Sequence, residues 1–161
     1  FLLARRDRQD DLHPVTISHG YGAGFLAEFD WAGTRDPFVY LAIGAAIDFH
    51  EALGGAALRE RNVALAAEAG MLLAQALGTE LGAPPELQGS MALVRLPLRT
   101  SEAPTMDQAK ALRRRLLIEE RTDVIVNAIG DAFWLRLSAA AYNERADYVR
   151  LAEIARRLGL R

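Results

Sequence analysis

The 161-residue sequence contains no cysteine, and Lys110 is its only lysine. The absence of thiols excludes disulfides, zinc–thiolate sites and a cysteine nucleophile on this chain. It also fits a reducing compartment, so we expect a cytoplasmic protein. The scarcity of lysine leaves a single candidate for any chemistry that needs an amine nucleophile.

The sequence also lacks a charge excess and a long hydrophobic run. The formal net charge is −2, and no block of basic residues is present that would attract a nucleic acid. The longest uncharged apolar run, residues 37–47, is 11 residues long, whereas a membrane-spanning helix needs roughly 20. We therefore expect neither a nucleic-acid partner nor a membrane span. With 51% hydrophobic and 25% charged residues, the composition is typical of a globular protein.

The first residues have neither an initiator Met nor the layout of a signal peptide, because Arg5, Arg6 and Asp7 interrupt the apolar start. This beginning predicts the interior of a longer protein.

The first third of the chain is predicted to contain few regular elements. Residues 1–4 have the pattern of a buried strand and residues 15–17 that of a short extended segment. The glycines of residues 20–24 require a turn or a close backbone approach, and no clear helix is expected over residues 27–30.

A helix is predicted from Pro37 to about Leu53, with Asp36 as its N-terminal cap. Because this helix is apolar on most sides, we expect it to be sandwiched between other elements.

From residue 54 onward, the pattern predicts the order helix, strand, helix, strand, strand, helix. The predicted bounds are 54–78, 91–96, 105–120, 124–128, 133–138 and 144–158, with a hairpin turn at Gly130–Asp131. We predict an α/β protein that ends in a small α+β domain, in which helices cover one face of a small, partly antiparallel sheet. The predicted domains are residues 1–53 and 54–161.

Several possible sites have weak patterns. His13, His19 and His50 have no partners at metal-ligand spacing. Ser18 and His19 are adjacent, and neighbouring side chains seldom face each other, so a serine hydrolase is disfavoured. The glycines of residues 20–24 do not have the spacing of a dinucleotide-binding loop. The three arginines of residues 113–115 are interpreted as a solvated helix face.

Gly33 and Thr34 stand just before a helix start. Backbone N–H groups, a hydroxyl and the positive end of a helix dipole suit a phosphate group. The alternative is an ordinary helix cap with Thr34 facing water. The local chemistry alone favours this alternative over a phosphate site.

Arg136 lies in a strand whose alternation places Phe133, Leu135 and Leu137 on one face and Arg136 with Trp134 on the other. A guanidinium beside an aromatic ring could receive a carboxylate bidentately. An exposed arginine without a ligand is about equally compatible with the pattern.

Several of these segments together resemble the class V aminotransferase group of pyridoxal-phosphate enzymes, of fold type I, and in particular its isopenicillin N epimerase-like branch. The segments are ISHG at 17–20, EFDW at 28–31, GTRDP at 33–37, AAIDF at 45–49, SMA at 90–92, LRLS at 135–138 and YN at 142–143.

The resemblance implies a homodimer that uses pyridoxal 5′-phosphate, of which this chain is the end of the large domain followed by the small domain. It assigns Gly33 and Thr34 to the cofactor phosphate of the neighbouring subunit and Arg136 to the substrate α-carboxylate. The Schiff-base lysine of the family belongs upstream of this chain, and Lys110 cannot replace it because it flanks a solvated helix face. The chain alone is therefore expected to be inactive.

The expected activity of the whole protein is epimerisation of an amino-acid-like substrate. The related cysteine desulfurases use a small-domain cysteine that this chain lacks, which excludes persulfide chemistry by that route. The alternatives are a lyase or desulfurase-like enzyme without that cysteine and a non-catalytic dimerisation domain.

Overall fold

Five α-helices and three β-strands occur in residues 2–98 and 103–157, the part of the chain that the computed structural model describes. The chain divides into two units, Phe1–Asp48 and Phe49–Arg161. Two short 3-10 helices, Arg6–Arg8 and Pro85–Leu87, complete the secondary structure of these residues.

The first unit contains fewer strands and one more helix than its sequence predicts. Residues 2–4 and 15–17 form no strand, and Leu3 and Val15 are exposed to solvent. A strand needs a neighbour to satisfy its backbone groups, and none pairs with these segments in the described residues, so both strand predictions are wrong there. Phe1 lies outside the described residues.

Helix α1, Phe25–Asp30, contradicts the prediction that no helix follows the glycines. It begins directly after Gly24, whose φ of 96° is accessible to glycine at little cost. The N–H of Glu28 donates to the carbonyl of Gly24 at 3.0 Å and closes the first turn.

The glycine-rich segment before α1 makes the close approach that its sequence predicts. A Cβ atom on Gly20 would lie 2.1 Å from the carbonyl oxygen of Ala27, and Gly22 has a φ of +79°. Larger residues at these two positions would collide with the backbone or be strained.

Helix α2, Phe38–Ala52, begins and ends close to its predicted bounds. The Oδ1 atom of Asp36 accepts from the N–H of Phe38 at 2.9 Å, which confirms Asp36 as the cap. No residue of α2 is buried, and Phe38 and Leu41 are each more than two-thirds exposed. The sequence predicts that other elements enclose α2, but the described residues do not enclose it.

The second unit has the predicted order of elements, with bounds shifted by no more than a few residues. It consists of α3 Gly55–Leu77, β1 Met91–Arg95, α4 Met106–Glu120, β2 Ile125–Ile129, β3 Ala132–Ser138 and α5 Arg145–Arg157. Leu158, the predicted last inward residue of α5, lies outside the described residues.

Local capping signals explain the ends of several of these elements. Gly78 adopts the left-handed conformation that ends α3. Thr105 and Gln108 form a reciprocal capping box at the start of α4.

In the described part of the chain, no single helix is long and apolar enough to cross a bilayer. Only α2 and α3 taken together pass a test of length and composition, and they are bent by 71° at their junction.

The three strands form an antiparallel sheet in the order β1-β3-β2. In this register, Leu135 of the central strand lies opposite Val94 and Val126, and all three side chains are buried. Helix α3 packs on β1, α4 on β2, and α5 on α3. The helices thus cover the face of the sheet that carries the leucines of β3, which confirms the predicted α+β layering.

The central position of Leu135 leads to a prediction for the stability of the sheet. Leu135→Ala should lower the free energy of unfolding by about 2–5 kcal/mol, because it leaves a cavity beneath all three strands. The matched control is Leu87→Ala, which removes the same atoms from a side chain that is 76% exposed. Urea denaturation of both variants measures the difference, and equal losses would contradict the assigned core.

Candidate functional site

A cleft of the second unit lies where β3 ends and α5 begins. It has a volume of about 620 Å³, and its lining includes Arg136, Ser138, Tyr142 and Tyr148. Arg136 is exposed, and the adjacent Leu135 and Leu137 are buried. The predicted division of β3 into a leucine face and an arginine face is therefore confirmed.

The ring of Trp134, which lies on the same face of β3 as Arg136, contacts Arg95 of the neighbouring strand β1. The guanidinium carbon of Arg95 lies 6.0 Å from the centre of the Trp134 ring, a cation–π distance. The register explains this contact, because Arg95 of β1 lies directly opposite Trp134. Arg95 also contacts Glu80 and Asp131 at 3.1 Å each, and the hydrogen bond to Glu80 is the main cause of its raised pKa.

The turn after β3 is held by hydrogen bonds from both sides. The Oδ1 atom of Asn143 accepts from the N–H of Ala140 at 3.1 Å. Arg61, on α3, donates from Nη2 to the carbonyl of Asn143 at 2.7 Å. Tyr142 lies within this fixed turn and is 85% exposed at the edge of the cleft. The turn therefore presents an aromatic hydroxyl to the cleft from a backbone that is already ordered.

Tyr148 of α5 is hydrogen-bonded to the end of β3. Its hydroxyl donates to the carbonyl of Ser138 at 2.7 Å, and its side chain is almost fully buried. Burial is the main cause of its raised pKa, so the phenol remains protonated and able to donate at neutral pH.

Gly33 and Thr34 lie in an exposed loop of the first unit, before α2. Gly33 has a φ of +105°, with no atom within 4 Å of the position of a Cβ. In the described residues, neither the backbone N–H groups of these two residues nor the Thr34 hydroxyl has a hydrogen-bond partner. Asp36 rather than Thr34 caps the helix, so the donors of Thr34 remain available to an anion.

The three predicted site residues belong to two different units: Gly33 and Thr34 to the first, and Arg136 to the second. Their assignments to cofactor phosphate and substrate carboxylate remain predictions. Lys110 is exposed and forms an ion pair with Asp107 at 3.1 Å, as expected for a solvated lysine.

The arginines of residues 113–115 follow the predicted solvated face only in part. Arg115 pairs along its own helix with Glu119. Arg113, however, donates two hydrogen bonds to Oδ1 of Asp123, at 3.0 and 2.8 Å. Arg113 therefore links α4 to the segment that precedes β2.

Sequence reasoning missed the buried carboxylate of Glu28, which is 2% exposed. Glu28 contacts Nδ1 of His13 at 2.7 Å and accepts from the N–H of Gly22 at 3.0 Å. These bonds join the glycine turn to α1. The hydrogen bond with His13 is the main cause of the lowered pKa of Glu28 and outweighs its burial. No local spacing in the sequence links Glu28 to His13, which lies 15 residues earlier.

Replacing Glu28 by glutamine should destabilise the first unit in a pH-dependent way. A carboxyl group with a lowered pKa stabilises the folded state at neutral pH and loses this effect as the pH falls below its ordinary value of 4.5 and through its folded-state pKa. Glu28→Gln should therefore differ from the parent most at neutral pH and converge with it in acid. Urea denaturation across this range measures the effect, with the exposed Glu60→Gln as control. A difference that does not vary with pH would contradict the assigned hydrogen bond between the Glu28 carboxylate and His13.

No family model matches the chain. The putative L-cysteine desulfhydrase 1 of Oryza sativa subsp. japonica is 34% identical over 98% of this chain and 37% of its own length. The probable chloroplastic L-cysteine desulfhydrase of Arabidopsis thaliana is 32% identical over 95% of this chain and 35% of its own length.

The isopenicillin N epimerase of Amycolatopsis lactamdurans is 33% identical over 98% of this chain and 42% of its own length. The chain thus spans less than half the length of the relatives that it matches. It is homologous to part of both L-cysteine desulfhydrases and isopenicillin N epimerases.

Proposed function

We propose that this chain is the C-terminal part of a homodimeric pyridoxal-phosphate enzyme of the class V aminotransferase group, which acts at the α-carbon of an amino-acid-like substrate. The observation that carries the proposal is Arg136. Its guanidinium lies in a cleft and has no carboxylate partner among the described residues. The homology to desulfhydrases and epimerases supports the same type of substrate.

Arg136 binds the α-carboxylate of the substrate in this proposal. A guanidinium presents parallel N–H donors that match the two oxygens of a carboxylate. Leu93 and Ile125 lie directly opposite Arg136 on the neighbouring strands. Because they place aliphatic groups on both sides of the arginine, they lower the polarity beside the proposed ion pair.

Gly33 and Thr34 hold the cofactor phosphate in this proposal, across the dimer. Their unpartnered donors fit an anion, and the missing Cβ of Gly33 leaves room for one. When bound, the cofactor withdraws electrons from the α-carbon of the substrate. Because Lys110 is solvated and paired with Asp107, the covalent attachment requires a lysine outside this chain.

Epimerisation is the first activity that we propose, with return of the proton to the opposite face of the α-carbon. The second is release of a side-chain fragment, as in a lyase, which the desulfhydrase relatives favour. The complete protein with its cofactor distinguishes the two. Loss of α-carbon stereochemistry without sulfide supports epimerisation, and sulfide released from L-cysteine supports the lyase. Neither activity, together with no cofactor absorption band, would contradict the enzyme proposal.

Replacing Arg136 by alanine should weaken substrate binding ten- to hundredfold, because a charge-assisted hydrogen-bond pair is worth about 1.5–3 kcal/mol. Arg136→Lys should recover only part of this loss, since an ammonium lacks the planar pair of donors. The control is Arg114→Ala, which removes the same charge from an exposed position of α4. Substrate titration by calorimetry measures these affinities, and equal affinity of Arg136→Ala and the parent would refute the role.

Replacing Thr34 by valine should weaken cofactor binding by about tenfold, because one hydrogen bond to a charged phosphate is lost while the shape is kept. Thr34→Ser retains the hydroxyl and should remain close to the parent. Cofactor dissociation is followed by absorbance, so activity is not needed. If valine and serine give the same dissociation constant, Thr34 does not contact the phosphate.

A further inference from the structure

The cleft that contains Arg136 also contains a second arginine, Arg121, at the C-terminal end of α4. Most described arginines of the second unit form an ion pair or a side-chain hydrogen bond with another described residue. Three described arginines of this unit form neither: Arg114, Arg121 and Arg136. Arg114 lies on the exposed face of α4, outside the cleft. The other two line the same cleft.

In the described residues, neither carboxylate that lines the cleft forms an ion pair with these two arginines. Asp123 receives the bidentate contact of Arg113, with a shortest distance of 2.8 Å. The Oδ2 atom of Asp147 accepts from the N–H of Glu144 at 3.0 Å and from Nδ2 of Asn143 at 3.3 Å. Asp123 is thus paired with Arg113, while Asp147 is bonded only to neutral donors and keeps its charge. Because Arg121, Arg136 and Arg150 all line the cleft, its lining still has an excess of positive charge.

The backbone of Arg121 is the second distinctive feature of the cleft. Its φ of 49° is the only positive φ at a non-glycine residue in the described part of the chain. Glycine or asparagine adopts this left-handed conformation more easily than arginine does. A cation is also favourable at a helix C-terminus, but that effect does not require an arginine in the left-handed conformation.

The residues on both sides of Arg121 hold it in place. The carbonyl of Glu120 accepts from Nη2 of Arg150 at 3.3 Å and from the hydroxyl of Thr122 at 3.0 Å. The N–H of Thr122 donates to the carbonyl of Leu116 at 3.1 Å. These hydrogen bonds fix the backbone of Arg121 at the cleft, while its exposed side chain has no partner among the described residues.

We propose that Arg121 binds a second carboxylate of the substrate, distal to the α-carboxylate held by Arg136. The inference rests on the proposed role of Arg136. It assigns the enzyme to amino-acid-like substrates with two carboxylates. A substrate with one carboxylate, such as L-cysteine, would occupy Arg136 and leave the charge of Arg121 unbalanced.

The test is calorimetric titration of the complete protein with glutarate and adipate, which carry two carboxylates, and with butyrate, which carries one. We expect one of the dicarboxylates to bind at least tenfold more tightly than butyrate. Arg121→Gly and Arg121→Asn should bring this ratio close to one. Arg114→Gln, which removes the same charge from the same helix outside the cleft, should keep the ratio of the parent.

The choice of glycine and asparagine separates binding from folding. Both residues adopt the left-handed conformation, so both variants should have melting temperatures at or above that of the parent. A parent that does not prefer dicarboxylates, or variants at position 121 that keep the preference, would overturn the proposal. A lower melting temperature together with an equal loss of affinity for both kinds of ligand would also overturn it, because it would show a structural role.

Arg136→Ala distinguishes this proposal from the proposed function. If it weakens the binding of butyrate and of dicarboxylates alike, both assignments are supported. If it weakens neither, while Arg121→Asn still removes the dicarboxylate preference, the role of Arg136 fails and Arg121 stands as an anion site.

Discussion

The alternation of side chains along β3 is the constraint on which the second unit depends. Leu135 and Leu137 are buried between the sheet and its helices, while Arg136 between them is exposed. A slip of one residue would exchange these faces and place a guanidinium in the core without a partner. The hydrophobic core therefore fixes the register of the central strand, and the register fixes the side of the sheet on which the guanidinium of Arg136 lies.

The first unit is organised by polar contacts rather than by a core. In its described residues the only buried side chain is that of Glu28, and the N–H of Gly22 and the imidazole of His13 supply its hydrogen bonds. A buried charge that lost these partners would be strongly unfavourable. The same contacts order the turn and the helix that precede the Gly33–Thr34 loop, so they set the starting geometry of that loop.

Local signals made much of the second unit predictable from its sequence. The hairpin turn at Gly130–Asp131 and the start of α4 near Thr105 depend on residues within a few positions of each other, and both lie close to their predicted places. The hydrogen bond between Glu28 and His13 and the hydrogen bond from Arg61 to Asn143 join residues that are 15 and 82 positions apart. No periodicity encodes such contacts, and therefore the sequence did not reveal them.

Helix α5 links the two walls of the cleft. Asp147 and Tyr148, in its first turn, hold the turn after β3 and the carbonyl of Ser138. Arg150, one turn later, donates to the C-terminal carbonyl of α4 beside Arg121. Because one helix holds both the strand end near Arg136 and the helix end near Arg121, the backbones of the two arginines share a common support. Two cations on backbones held in this way can select a ligand by the spacing of its negative charges, which a single cation cannot do.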